Sequence, residues 1–274
     1  MARSRKFAAA LLLAGSLALG GCYGDKPTQT DEATDGLALL RADAKTSLQT
    51  ATTKAGDTRS VTVDVEGTAA ARTITSRGAI NFGPPLAAEL TVTGATSAPV
   101  TARILGTDAY VQIPPEFKAQ TGGKNWLKAD LADAARLLGA DADELASQLQ
   151  NADPAIHAKA LLASGDLKVV GEEAVGSVRT VHYAGTTPVG SYLQNVDPDV
   201  RPAIERRLTK LGISEVKTDL WMDEQYQVRK AKVVLGSADL TLRFSDYGKP
   251  VEVVAPPAAD TAELPRFLRT RPAN

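Results

Sequence analysis

One cysteine, two histidines and an aromatic content of only 5% restrict what this chain of 274 residues can be. A lone thiol forms no internal disulfide, so the folded part must hold together by packing alone. His157 falls in a helical pattern and His182 in a strand, and the sequence has no GxSxG elbow, HExxH helix, phosphate loop or glycine-rich dinucleotide fingerprint around them. The chain therefore reads as a protein without an active site, not an enzyme. Positive charge is not in excess: 31 basic side chains face 32 acidic ones, with no basic cluster of the kind that holds nucleic acid. The acidic groups Asp141, Asp143 and Glu144, and Asp197 with Asp199, lack the spacing and glycine of a calcium loop. They read as helix starts, where carboxylates cap amides. No metal or other cofactor is expected.

The apolar stretch at Phe7–Leu19 is too short to cross a bilayer, which takes about 20 residues. It follows a basic head containing Arg3, Arg5 and Lys6 and ends in Gly20-Gly21-Cys22. Basic head, short apolar run and small residues before the only cysteine together make a lipoprotein signal peptide over 1–21, with a diacylglyceryl group expected on Cys22. Two acyl chains on one residue hold a protein to a membrane where a single chain is marginal. The expected place is the extracytoplasmic face of the cell membrane, lipid-anchored. Removing 1–21 leaves 28 basic against 32 acidic side chains, a formal charge of −4. Residues 22–35 are polar and aperiodic, as expected of a lipidated tether.

From Gly36 to Ala55 apolar residues recur at intervals of three and four (Leu37, Leu40, Ala44, Leu48, Ala51), which predicts one helix stopped by Gly56. The period then changes to two. Val61, Val63 and Val65 alternate with polar neighbours, as do Leu86 to Val92 and Val100 to Ile104, with further strands over 72–82 and 109–113. Residues 130–164 read as three helical segments, the last opened by Asp153-Pro154 as cap and first-turn proline. Strands follow at 167–174 and 177–185, a helix at 198–211, and strands at 215–223, 227–236, 238–245 and 250–254. Trp126 sits in a glycine-rich stretch read as a loop. Trp221 lies on a strand, and Lys230 and Lys232 recur with period two, as on a solvated strand face or one meeting anionic headgroups.

About eleven strands in one antiparallel sheet must curl, split or close. The predicted class is α+β: a single wide curled antiparallel sheet with helices covering one face. The domain is placed at 36–256, and 257–274 is read as a loose tail. With so few aromatics, either the helices fill the curl or a ligand does.

The lipobox cysteine, polar tether, helix, strand meander, helical insert and second meander carrying Leu220-Trp221-Met222-Asp223 and Phe244-Ser245-Asp246-Tyr247-Gly248-Lys249-Pro250-Val251 resemble the LppX/LprG-type (LppX/LprAFG) bacterial lipoprotein family. The resemblance implies a LolA-like half-open β-barrel, with helices covering its concave face, that binds and carries acylated lipid or glycolipid in an apolar cavity, without catalysis. On that reading Val61, Val63, Val65, Leu90, Val92, Ile104, Val181, Tyr183, Leu220 and Met222 line the concavity and solvate acyl chains. Ordinary core packing is the competing account of each. The resemblance also keeps open a ligand-free module that regulates a membrane partner, a sensor or transporter protein.

Overall fold

The computed structural model describes residues 35–69, 72–94, 98–131, 133, 152–195, 198 and 201–264. Two helices come first, α1 (Gly36–Ala42) and α2 (Ala44–Asp57), where periodicity predicts one. Asp43 divides them. Its backbone is extended (φ −141°), and its carboxylate accepts from the Thr46 backbone N–H at 2.9 Å. An aspartate bonded to a nearby amide offers the chain an alternative to continued helix. The same bond, with a second from the Thr46 hydroxyl, holds the Asp43 carboxyl below its ordinary pKa.

Among the described residues twelve strands form one sheet. The first meander comprises β1 (Ser60–Ala69), β2 (Arg72–Asn81), β3 (Ala87–Thr93), β4 (Val100–Leu105), β5 (Asp108–Gln112) and β6 (Trp126–Asp130). Helix α3 (Pro154–Leu162) precedes β7 (Lys168–Val175) and β8 (Val178–Pro188). Helices α4 (Val189–Leu193) and α5 (Arg201–Lys210) lead to β9 (Glu215–Met222), β10 (Val228–Leu235), β11 (Ala238–Ser245) and finally β12 (Thr261–Glu263). Spatial order is β12-β6-β5-β4-β3-β2-β1-β11-β10-β9-β8-β7. The two meanders join where β1 pairs antiparallel with β11, Val63 opposite Phe244 and Val65 opposite Leu242. The sheet is not closed: β12 and β7 are its edges. It is an α+β half-barrel.

Two features depart from the predicted eleven antiparallel strands. Residues 250–254 alternate as a strand should, yet they belong to no ladder. Both sides of β11 are already taken by β1 and β10, so the chain that leaves it finds no free edge nearby. It crosses the outer face instead and reaches the edge of β6, where β12 pairs in parallel, Thr261 opposite Trp126. The supposed loose tail thus contains a strand, followed by the buried Leu264. Trp126, expected in a loop, opens strand β6.

Helix α3 begins as predicted, with the Asp153 carboxylate accepting from the Ala155 N–H at 2.8 Å and Pro154 in the first turn. The other expected helical segments, over 134–149, lie outside the described residues, as do Asp141, Asp143, Glu144, Asp197 and Asp199. Burial raises the Asp153 pKa, opposed by the Ala155 bond and by Lys159. A carboxyl raised in the folded state costs stability above its unfolded pKa, and the cost vanishes once pH falls below that value. Asn caps a helix as well as Asp does. Asp153→Asn is therefore expected to raise the melting temperature at neutral pH, with the gain disappearing below the ordinary aspartate pKa of 3.8. A gain that persisted unchanged in acid would show that charge burial is not its source.

Candidate functional site: an apolar concave face

Strand register places the inward side chains in rows across the sheet. One row runs Ile104, Ala88, Ile80, Val61. A second runs Val100, Val92, Ser76, Val65, Leu242, Ala231, Leu220, Tyr183, Val169. All ten residues predicted to line the concavity point to this one face. Val65 and Val92, from separate strands, lie either side of Ser76, and Leu90 lies beside Gly78. A Cβ on Gly78 would stand 2.5 Å from the Leu90 Cδ2 and 2.1 Å from the Glu89 carbonyl oxygen. The leucine side chain thus takes the space that the glycine leaves.

Helices cover part of this face and seal it. Leu37 and Leu40 of α1, Leu48 and Ala51 of α2, and Ala158 and Leu161 of α3 join one buried cluster with Val61, Val63, Ile104, Val181, Tyr183, Leu220 and Met222. The Tyr183 hydroxyl donates to the Leu40 carbonyl at 2.8 Å, and burial lifts its pKa well above the ordinary tyrosine value. Gly185 on β8 lets α3 close in: a Cβ there would meet Ser164 Oγ at 2.5 Å. Thr187 completes the dock, its hydroxyl donating to the Ala160 carbonyl at 2.7 Å. Seven of the ten predicted lining residues are therefore packed against helices.

The other three, Val65, Leu90 and Val92, are only half-buried. They lie with Ile74, Val100, Val233 and Leu240, also half-buried, at the end of the sheet away from Val61 and Met222. Val65, Leu90, Val233 and Leu240 pack against the margin of the buried cluster, and among the described residues this apolar band is the less covered part of the concave face. The parity of β2, β4, β10 and β11 could have identified its last four members from sequence. Which inward residues stay uncovered could not be read there, because it depends on where the helices dock.

At the opposite end a cleft of about 280 Å³ opens between α2 and the β9–β10 turn, lined by Ala51, Lys54, Pro154, Tyr226, Val228 and Tyr247 among others. Tyr226 adopts a left-handed backbone (φ 63°), uncommon for a bulky residue. Lys54 closes over it, its Nζ donating to the Gln225 carbonyl at 3.2 Å and lying 4.7 Å from the Tyr226 ring centroid.

The outer face carries the histidine and lysines of β8 to β10. His182 stacks on Trp221 with centroids 4.1 Å apart, and the Lys230 Nζ sits 3.6 Å from the indole centroid on a neighbouring strand. The His182 Nε2 is 2.7 Å from Asp219 Oδ1, and the Trp221 Nε1 donates to Glu173 at 2.7 Å. Lys232 pairs with Asp239 at 3.1 Å. These residues stitch strands together, and no serine or cysteine hydroxyl or thiol is bonded to His182 among the described residues. His157 is buried in α3, 6.0 Å from the Phe244 ring. No described group of His, Cys, Asp and Glu is arranged to hold a metal ion. Cys22 lies outside the described residues, and no described helix is long and apolar enough to cross a membrane.

No family model matches the chain. It is 30% identical over 246 residues to a protein of Streptomyces coelicolor named as a candidate lipoprotein, spanning 84% of this chain and 77% of that one. A 31.2 kDa protein of Streptomyces griseus from the rplA–rplJ intergenic region is 33% identical over 227 residues, 75% of this chain and 74% of its own. The fold is similar to that of the lipoprotein LppX from Mycobacterium tuberculosis, with a TM-score of 0.50 and 20% identity over 77% of this chain and 98% of that one. LprF from Mycobacterium bovis matches with a TM-score of 0.51 and 14% identity, over 78% of this chain and 96% of that one.

Proposed function

Since the chain belongs to the LppX/LprG-type family of bacterial lipoproteins, we propose that it is a lipid-anchored protein of the extracytoplasmic membrane face that binds acylated lipid or glycolipid against its concave sheet and carries it without catalysis. The observation that supports this most is the half-buried apolar band of Val65, Leu90, Val92 and their neighbours, which continues the helix-sealed part of the same face. Apolar surface of this kind gains by leaving water, and the hydrophobic effect, being non-directional, accepts acyl chains of many lengths. The anchor at Cys22 would hold the open sheet close to the membrane from which such molecules are taken.

The full chain carrying Cys22→Ser, isolated from a phospholipid-rich host and examined by native mass spectrometry, is expected to hold a stoichiometric lipid that denaturation releases. The substitution removes the covalent anchor as a source of acyl chains. Val92→Asp places a charge on the open band, where a buried carboxylate finds no partner, and should lower lipid occupancy about tenfold. Val92 is half-buried, so the fold should tolerate the change. A clean apoprotein that also takes up no added diacyl lipid would sink the carrier reading and favour the regulatory module, for which the helix-packed half of the concave face already provides a filled interior.

A further inference from the structure

The segment that leaves β11 crosses the outer face as a strap standing clear of the sheet. It is tied down at both ends. The Ser60 hydroxyl donates to the Lys249 carbonyl at 2.7 Å where it starts, and Arg103 Nη1 donates to the Val254 carbonyl at 3.1 Å where it lands. Between these anchors, none of the described residues donates to or accepts from the backbone of Val251, Glu252 or Val253. Beneath lies a cleft of about 680 Å³ floored by β1, β2, β3 and β11. That volume lies within the range of small-molecule sites.

From the chemistry of this cleft we infer a second binding site, on the opposite side of the sheet from the apolar band, for a neutral polyhydroxylated ligand: a short stretch of glycan. Its walls carry four carboxylates, Asp64, Glu66, Glu89 and Glu252, against two guanidinium groups, Arg77 and Arg243. An anion would face the four carboxylates and a cation the two guanidinium groups. An apolar chain would strip water from the ion pairs of the floor and meet few apolar partners beyond Pro250, Val251 and Val253 of the strap. Sugar hydroxyls each donate and accept, so they suit both kinds of partner.

The groups are held ready. Arg77 Nε pairs with Asp64 at 3.3 Å, Arg243 Nη1 with Glu66 at 2.6 Å and Arg103 Nε with Glu89 at 2.6 Å. Each of these contacts engages one N–H of a guanidinium that has five, and one oxygen of a carboxylate that has two. Register sets Thr91 beside Arg77 and Thr75 beside Glu66, and these hydroxyls with Thr93 complete the floor. The unpaired amides and carbonyls of Val251–Val253 supply further donors and acceptors from the roof.

Isothermal titration of the full Cys22→Ser chain with maltohexaose, mannohexaose and arabinohexaose tests this. At least one neutral hexasaccharide is expected to give a saturable one-site isotherm that is insensitive to salt. Arg77→Ala on the floor and Glu252→Ala on the roof should each weaken it about tenfold, the effect of losing a hydrogen bond to a charged group. The Arg77 side chain is 75% exposed, so its loss should leave the fold intact. Val92→Asp, on the other face, should leave the sugar isotherm unchanged. Absence of binding by all three sugars would overturn the proposal. So would binding that both cleft variants leave untouched, or a salt-sensitive preference for an oligogalacturonate or for an extended peptide. None of these outcomes depends on whether the concave face holds lipid.

Discussion

Asp223→Ala is expected to destabilise the folded chain by about 3–5 kcal/mol, the range for removing one partner of a buried ion pair. The carboxylate is fully buried at the end of β9. Oδ1 accepts from the Gln225 and Gln227 amides at 3.0 and 2.9 Å, and Oδ2 accepts from Arg229 Nε at 2.6 Å. One side chain therefore shapes the β9–β10 turn and neutralises a guanidinium that is itself largely buried. Alanine would leave two amides without their partner and Arg229 without its counter-charge. The turn also holds Tyr226 in its left-handed conformation, and Tyr247, whose hydroxyl donates to the Val228 carbonyl at 2.5 Å, packs under Arg229. Urea unfolding of Asp223→Ala beside Glu224→Ala, an exposed neighbour, measures the effect. A loss no larger than that of the neighbour would show that the pair contributes little. Asp223→Asn, which keeps an acceptor for the amides, should fall between the two.

The second large effect is expected at Tyr183. Its ring is wholly buried between the sheet and α1, and its hydroxyl reaches the backbone of that helix. Tyr183→Ala should cost about 3–5 kcal/mol, as large aromatic truncations in cores do. Tyr183→Phe removes the hydroxyl's bonds to the Leu40 carbonyl and the Ser47 side chain while keeping the ring, and should cost about 1 kcal/mol. The difference between the two separates ring packing from helix attachment. Equal losses would mean that the hydroxyl bond, not the ring, holds α1 to the sheet. If the concave face were instead a cavity at this point, Tyr183→Ala would be nearly neutral.

These two sites show how far the sequence can be read. The alternation of Val61, Val63 and Val65, and of Val181 and Tyr183, identifies inward faces because side chains on a strand point alternately to its two sides whatever surrounds it. Asp153-Pro154 announces a helix start for an equally local reason, since cap and first turn lie within a few residues. Asp43 is a local signal of the same kind that a continuous apolar stripe hid. Pro250–Val254 shows the limit. Its alternation is as good as that of other strands, but pairing needs a free edge, and whether one exists is decided by the neighbours of β11. Strands β6 and β12 err in the opposite direction: short and weakly patterned, β6 exists because it pairs along β5, and β12 because it pairs along the free side of β6.

The sequence by itself thus determined a single curled α+β sheet and the face of each main strand that turns inward, both consequences of short-range periodicity and composition. Tertiary structure alone decided that Tyr183, Leu220 and Met222 are sealed beneath helices while Val65, Leu90 and Val92 stay half-open, and that a strap roofs a polar cleft on the outer face. Burial and cleft shape depend on contacts between residues far apart in the chain, and no local pattern carries that information.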